Sequence, residues 1–344
     1  MKTFIFGDIH GCYDEFIALL EQMDVQEDDR VISVGDIVDR GPKSPEVYRY
    51  FKTRKNALVL MGNHERKHQK GVLNYAQEIV KLQFGDEYTE FLSWINSLPY
   101  YEDTGEALIV HAAFEHDKSI EKQREDVLCG STSGDRYLQD KYPEGKFWTD
   151  YYEGSKTILY GHHVVGDSPK RVNNTIGTDT GCCHGGKLTA IELPGFVVHQ
   201  VQAKKDYWAE ELQHWQLIVL QNKPWFTMTC VAIDKLVLQL QRADREDVQE
   251  YLQKIREWRV YLDQLLTQIL EELPRFTAEL LEKHPEDFNQ KANEYFFKTF
   301  LFKAKNKQLT LEELSKKLDS PEKRIALSEA LGIVVDQTVS PEIF

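Results

Sequence analysis

Six short apolar runs in the first 180 residues of this 344-residue chain each end in polar side chains that can bind metal ions or transfer protons. The first run continues into GDIHG, and the other five read RVISVGD, ALVLMGNHE, EALIVHA, KTILYGHH and TIGTDTG. Glycines adjoin most of these junctions and let the backbone bend close to a ligand. Ligands of open α/β sheets bind outside the carboxyl ends of the strands. The pattern therefore predicts an α/β fold with its functional site at that edge.

The side chains after these runs form a set of oxygen and nitrogen donors. Mixed carboxylate, amide and imidazole ligation suits Mn²⁺, Fe²⁺ or Zn²⁺ better than it suits a metal selected by thiolates. The donors exceed the need of one ion, and a pair of ions is suited to displacement at phosphorus. We therefore predict two divalent metal ions, with Mn²⁺ favoured and iron or zinc as alternatives. The predicted donors are Asp8, His10, Asp36, Asn63, His111 and His162, with Asp179 as a further carboxylate.

Each motif also has a purely structural interpretation. Asp8 and His10 could belong to a turn with a hydrogen-bonded histidine, and Asp39 and Arg40 could form a plain ion pair. Asn63 could cap a helix, because asparagine is a favoured N-cap. Their joint occurrence in one order favours a functional site over these separate interpretations.

The motifs GDIHG, GDIVDRG, GNHE, HA and GH, in that order, resemble those of the calcineurin-like metallophosphoesterases, in particular the phosphoprotein phosphatase branch. The resemblance covers about residues 1–200. Within the branch, VLCGSTSG, YYEGSKTILYGHH and TDTGCCHGGKLTAIEL are most similar to the phosphatase module of bacterial polynucleotide kinase-phosphatases. They also resemble bacterial serine/threonine phosphatases and diadenosine polyphosphate hydrolases. The fold implied is a four-layer sandwich of two mixed β-sheets flanked by helices.

The resemblance implies a role for each matching residue. Arg40 and Asn63 would bind the phosphate, and a planar guanidinium offers paired donors to an oxyanion. His64 would protonate the leaving oxygen, while Asp39 orients its imidazole and Asp179 supports the site. The nucleophile would be a hydroxide that bridges the metals. The resemblance places Asp8 and His10 on the first metal, Asn63, His111 and His162 on the second, and Asp36 as the bridge between them.

The chain departs from the family pattern in three places. The HA motif continues as HAAFEH, without the usual glycine, and GHH adds His163 beside the predicted ligand. Adjacent strand residues alternate faces, so His163 is expected to point away from the metals. The flanking kinase and ligase modules of the polynucleotide-repair proteins are missing. A second phosphate-binding arginine is common in the branch, and the candidates Arg124 and Arg136 both remain open.

Composition limits the cellular setting of the chain. The formal charge of −14 disfavours broad attachment to nucleic acid or to an anionic membrane. Five scattered cysteines do not form a disulfide framework and favour a reducing compartment. There is no run of eighteen apolar residues, and the opening MKTFIFGDIHGC is too short and too quickly polar for the apolar segment expected of a secretory leader. We predict a cytoplasmic protein without membrane contact.

The glycine content and the spacing of apolar residues change after about residue 203. Nineteen of the 20 glycines precede that point, whereas later segments carry apolar residues three and four apart, as between Val248 and Leu273. We predict a metallophosphoesterase catalytic domain over residues 1–203 and an all-helical domain of unknown role over residues 204–344. The prolines expected to punctuate its helices, at the boundaries between them, are Pro224, Pro274, Pro285 and Pro321.

The leading functional hypothesis is a metal-dependent phosphatase that hydrolyses phosphomonoesters and acts on protein phosphoserine and phosphothreonine. The alternative within the same chemistry is a phosphatase or cyclic phosphodiesterase that acts on nucleotides or RNA ends. A hypothesis from a different class is an interaction scaffold in which the helical tail binds a protein partner or self-associates.

Overall fold

Two five-stranded mixed sheets form the centre of unit Met1–Trp215 in the computed structural model, which describes residues 1–241 and 244–341. The remainder, Gln216–Phe344, forms a second compact unit. The strands are β1 (Thr3–Phe6), β2 (Arg30–Ser33), β3 (Ala57–Val59), β4 (Tyr101–Asp103), β5 (Ala107–Val110), β6 (Thr157–Tyr160), β7 (Lys170–Val172), β8 (Thr175–Gly177), β9 (Lys187–Leu193) and β10 (Val197–Gln202).

Each sheet contains three adjacent parallel strands. The first sheet has the order β10-β9-β1-β2-β3, with β1, β2 and β3 parallel and Ile5 paired with Ile32. The second has the order β4-β5-β6-β8-β7, with β5, β6 and β8 parallel and Ile109 paired with Leu159. The remaining pairings are antiparallel. These six parallel strands are the six apolar runs of the sequence.

Alternation along the strands separates an inner apolar layer from two outer ones. Ile5 and Ile109 belong to a buried cluster that draws members from both sheets. Their neighbours face outward: Phe6 packs edge-on against Phe16, with ring centroids 4.9 Å apart, and Val110 joins the cluster around Trp148. The predicted four-layer sandwich followed by a helical region is thus confirmed.

Helices cover both sheets and account for most of the second unit. In chain order they are α1 (Tyr13–Gln22), α2 (Ser44–Thr53), α3 (Asn63–Gln69), α4 (Tyr75–Phe84), α5 (Tyr88–Ile95), α6 (Glu125–Leu128), α7 (Thr132–Lys141), α8 (Tyr207–Gln221), α9 (Cys230–Gln239), α10 (Glu246–Lys283), α11 (Phe288–Ala292), α12 (Lys298–Lys305), α13 (Leu311–Lys317) and α14 (Pro321–Ala330). Short 3₁₀ turns occupy Gly85–Glu87, Ile120–Lys122, Trp148–Asp150, Cys182–His184 and Gln337–Val339.

The sheet region ends where the glycine content and the apolar spacing of the sequence change. Strand β10 ends at Gln202, next to the predicted boundary at 203/204, and α8 then continues past residue 215, where the two units divide.

Helix α10 carries the predicted apolar periodicity over 38 residues, but one expectation about it is wrong. Pro274 lies inside the helix instead of ending it. A proline there removes one backbone hydrogen bond, at a cost of about 3 kcal/mol. Leu266, Leu273 and Leu280 on either side of it are buried against later helices, and that burial offsets the cost.

The described helices also bear on membrane insertion. In residues 1–241 and 244–341, no helix combines the length and the apolar content needed to cross a bilayer.

Candidate metal centre

The loops after the parallel strands are strained where they carry predicted site residues. Among the described residues, nine other than glycine have a positive φ. A left-handed backbone costs a side-chain-bearing residue roughly 1–3 kcal/mol and persists only where its surroundings hold it. The five of these residues that belong to the predicted site are His10, Asp36, Asp39, Arg40 and His162.

Asp36 lies at the centre of the converging side chains. Its Oδ2 atom is 3.5 Å from His111 Nε2, 3.7 Å from His10 Nε2 and 3.9 Å from His64 Nε2. Two groups of donors share this residue, and within each group the donor atoms lie within 4.8 Å of one another. The groups are His10, Asp36 and His64, and Asp36, His111 and His162.

Two of the histidines are oriented as metal ligands usually are. His10 Nδ1 donates to the carbonyl of Val38 at 2.8 Å, and His111 Nδ1 donates to the carbonyl of Val34 at 3.1 Å. With Nδ1 fixed on a backbone carbonyl, Nε2 faces Asp36 and is the ring nitrogen in position to bind a metal ion. Carboxylate, imidazole and amide donors around a shared aspartate fit a pair of divalent ions.

Asn63 places its amide oxygen within the second group. Its Oδ1 atom is 2.9 Å from His162 Nδ1 and 3.1 Å from His111 Nε2. Asn63 is the first residue of α3 and Gly62 is its N-cap, so the interpretation of Asn63 as a helix cap is wrong, and its side chain faces the donor group instead.

Asp8 is buried beside the site but lies outside both groups. Its two carboxylate oxygens accept the backbone N–H of His162 at 3.1 and 3.0 Å. Strand geometry does not extend to Asp8 and His10, because β1 ends at Phe6 and His10 has a φ of 45°. A side chain at Gly161 would come within 2.0 Å of Asp8 Oδ1, which explains the glycine of the GH motif.

The electrostatics of the cluster reflect an excess of buried charge. Burial and the nearby Asp179 raise the pKa of Asp8 well above its usual range. Burial opposes ionisation of Asp36, but the fields of His111 and His64 outweigh it and hold the Asp36 pKa well below its usual range. Burial likewise lowers the pKa of His111, yet the carboxylates raise it to about 9. Bound cations would neutralise the negative charge of the buried carboxylates directly.

His64 and Asp39 form a buried pair. His64 Nδ1 donates to Asp39 Oδ2 at 2.5 Å, which leaves Nε2 facing the site. Two residues absent from the sequence prediction hold Asp39 in turn: His68 Nε2 donates at 3.0 Å, and the amide of Gln77 donates to Oδ2. His68 follows His64 by one helical turn of α3, a spacing that could have revealed it.

Arg40 spans the two imidazoles that flank Asp36. Its terminal nitrogens donate to His10 Nε2 and His64 Nε2, each at 3.1 Å. Of the two candidates for a second phosphate-binding arginine, Arg124 is held by Asp126 at 2.9 and 2.8 Å, and Arg136 is exposed.

Glu65 is the clearest functional residue that sequence reasoning missed. Its carboxylate accepts the backbone N–H groups of Asp36, Ile37 and Gly62 at 2.9, 2.9 and 3.1 Å. It thereby ties the loop after β2 to the start of α3. Burial and Asp36 raise the pKa of Glu65 to about 8. Its place in GNHE was visible, but the backbone groups that it binds were not.

Asp179 is buried at the end of β8 and accepts the N–H of Gly181 at 2.9 Å. Burial raises its pKa, and its charge adds to that of Asp8 and Asp36. Its position beside these two carboxylates is compatible with the predicted supporting role.

A further group of potential donors, Cys12, Glu15 and Cys182, does not include Asp36. One carboxylate oxygen of Glu15 accepts the N–H of Lys204 at 3.1 Å and the hydroxyl of Tyr207 at 2.7 Å. Both thiols belong to the apolar cluster under the first sheet, so we interpret them as core residues.

Comparison with known proteins gives one family and a set of relatives. A model of the calcineurin-like phosphoesterases matches residues 1–173. The asymmetrical bis(5′-nucleosyl)-tetraphosphatase PrpE of Bacillus velezensis is 33% identical over 234 residues, covering 59% of this chain and 93% of that protein. The corresponding protein of Bacillus subtilis is 32% identical over 234 residues, covering 59% and 95%. A protein serine/threonine phosphatase structure from Saccharomyces cerevisiae is 15% identical, with a TM-score of 0.42 over 60% of this chain and 81% of that chain, too little to bear on activity.

Proposed function

This chain belongs to the calcineurin-like phosphoesterase family, and from that premise we propose that it hydrolyses dinucleoside polyphosphates such as bis(5′-nucleosyl) tetraphosphates. Family membership makes it a metal-dependent hydrolase of phosphoric esters. The proposal of metal-dependent hydrolysis rests on the pair of donor groups that share Asp36. The observation that carries the substrate is the activity named for relatives that this chain matches over more than nine tenths of their length.

His10, Asp36, His111 and His162 of the two donor groups, extended by Asp8 and Asn63, would hold two divalent ions, for which we propose Mn²⁺. Such ions supply Lewis acidity, which neutralises phosphate charge and lowers the pKa of water. Asp36 reaches both groups and is therefore the proposed bridging ligand.

The phosphate would bind through Arg40 and Asn63. The Arg40 guanidinium already lies between His10 and His64, so its paired donors face the space where a phosphoryl group must sit. Positioning and charge neutralisation supply most of the catalysis in phosphoryl transfer.

His64 would protonate the leaving oxygen through Nε2. Its Nδ1 atom donates to Asp39, so the Asp39 carboxylate orients the ring and stabilises the imidazolium form. A nucleotide leaves as a stable phosphate anion and needs this proton less than a serine alkoxide does.

Protein phosphoserine and phosphothreonine are the first substrate class predicted from the sequence, and nucleotides are the second. The named activity of the relatives favours the nucleotide alternative, and we adopt it. All five cysteines are free and buried, which supports the proposed cytoplasmic location. A protein partner or self-association of the helical unit stays a prediction.

A side-by-side assay tests the proposal. The full chain with Mn²⁺ would be given diadenosine tetraphosphate, a phosphoserine peptide and an RNA 2′,3′-cyclic phosphate, with Asp36→Asn as the control for contaminating enzymes. We expect the highest kcat/KM for the dinucleotide, with ATP and AMP as products. A higher kcat/KM for the phosphopeptide would contradict the nucleotide substrate while leaving the phosphoesterase chemistry intact.

A further inference from the structure

We infer that a cavity beside the candidate metal centre binds the nucleoside next to the reacting phosphate, an inference that rests on the proposed function. The cavity has a volume of about 450 Å³ and lies between the C-terminal half of α7 and the segment 142–147. Its walls include Asp135, Tyr142, Lys146, Phe147 and His163. Small-molecule sites commonly have volumes of about 300–1,000 Å³, so a nucleoside fits this space.

The cavity adjoins the second donor group at His162. Asp135 Oδ1 lies 3.8 Å from His162 Nε2, and the ring of His163 packs edge-on against that of His162 with centroids 4.3 Å apart. A phosphate held beside His162 therefore has its ester oxygen close to the mouth of the cavity. The group that this oxygen carries in a dinucleoside polyphosphate is a nucleoside.

The walls offer the chemistry that a nucleoside needs. Phe147 and His163 both line the cavity and meet edge to face, with centroids 5.6 Å apart and planes at 79°, so two aromatic rings form part of its wall. Bases stack on such surfaces without strong sequence preference. The half-buried carboxylate of Asp135 is an acceptor suited to ribose hydroxyls, and Lys146 contributes a cation to the lining of the same cavity.

The aromatic walls are fixed by their own backbone contacts. Phe147 N donates to Asp150 Oδ2 at 2.8 Å, and Lys146 N donates to the carbonyl of Pro143 at 2.9 Å. On the other side, His163 N donates to the carbonyl of Gly161 at 2.8 Å. A cavity with walls held in place binds with a smaller loss of conformational entropy.

A second cavity of about 470 Å³ shares Phe147 and His163 but opens toward Val164 and Lys170. Only the first cavity includes Asp135, which adjoins His162. We therefore assign the nucleoside to the first, and Val164 becomes a matched control from the same loop.

The test uses the full chain with Mn²⁺ and the variants His163→Ala, Phe147→Ala and Val164→Ala. The readouts are kcat and KM for diadenosine tetraphosphate and for an aryl phosphate without a nucleoside, and inhibition of aryl phosphate hydrolysis by AMP and by inorganic phosphate. We expect His163→Ala and Phe147→Ala to raise KM for the dinucleotide roughly 5- to 100-fold, with a much smaller change for the aryl phosphate. Val164→Ala should behave as wild type.

The inhibition assay keeps the inference separate from the proposed function. If the wild type does not cleave the dinucleotide, the proposed function fails, but AMP should still inhibit aryl phosphate hydrolysis at least tenfold more strongly than inorganic phosphate, and the two aromatic variants should lose that advantage. Equal inhibition by AMP and phosphate in the wild type would overturn the inference. So would loss of the AMP advantage in Val164→Ala alone.

Discussion

The two units of the chain differ in how many ionisable side chains they bury. In Met1–Trp215, twelve Asp, Glu, His, Lys or Arg side chains are buried, and most of them surround Asp36. In the described part of Gln216–Phe344, Arg324 is the one such residue, and its guanidinium donates to the carbonyls of Leu318 and Leu262 at 3.0 and 3.1 Å. The interior of that unit is otherwise built from apolar clusters along α10.

This contrast separates a region shaped by chemistry from one shaped by packing. Buried charges and left-handed backbone lower stability and persist where function depends on them. Eight of the nine described non-glycine residues with positive φ lie in the first unit, and Lys307 alone lies in the second. Substitutions should therefore affect activity in one unit and stability in the other.

Among the substitutions in the first unit, Asp36→Asn should cause the largest loss of activity. Asparagine keeps the size of the side chain but removes the charge shared by both donor groups. We expect kcat/KM to fall on the order of 1,000-fold and bound metal to fall with it. Steady-state kinetics and elemental analysis of the purified variant check this. Full metal content with full activity would contradict the proposed role of Asp36 as the ligand that bridges the two metal ions.

Asp8→Asn should separate function from stability. Burial and Asp179 disfavour the charged form of Asp8, so the neutral amide should stabilise the protein when metal is removed. We expect the Tm in a chelating buffer to rise by roughly 2–4 °C per kcal/mol gained, while activity with Mn²⁺ falls on the order of 100-fold. A lower Tm in the chelator would contradict the account of charge burial. Asp14→Asn, at a more exposed carboxylate of the same unit, is the comparison variant.

His64→Ala should have an effect that depends on the leaving group. We expect a loss of about 100-fold or more for a phosphoserine peptide and less than about tenfold for a dinucleoside polyphosphate or an aryl phosphate. Metal content should remain near that of wild type. Equal losses for all substrates, or a matching loss of metal, would argue that His64 acts as a ligand and not as an acid.

Leu262→Ala should show the opposite behaviour in the helical unit. Leu262 is fully buried in the cluster along α10, and truncation should destabilise the protein by about 2–5 kcal/mol without changing kcat. Val260 lies on the same helix with 59% exposure, so Val260→Ala should stay within about 0.5 kcal/mol of wild type. Denaturant unfolding followed alongside activity measures both. A large fall in kcat for Leu262→Ala would show that the two regions are not separable in this way.

The sequence predicted the features that repeat and missed those that depend on the folded backbone. Six apolar runs with polar ends were enough to bring Asp36, Asn63 and His111 to one place, because parallel strands align their carboxyl ends. Glu65 acts on three backbone N–H groups from two loops, and no pattern of residue types reports such a contact. Local preference alone predicts a helix end at Pro274, but the packing on both sides of it keeps the helix continuous.

Anomalous scattering from crystals of the full chain grown with Mn²⁺ tests the central claim most directly. The account predicts two manganese peaks per chain, one on each side of Asp36, the first beside His10 and the second beside His111 and His162. A single peak, or manganese bound away from Asp36 in crystals of active protein, would contradict it.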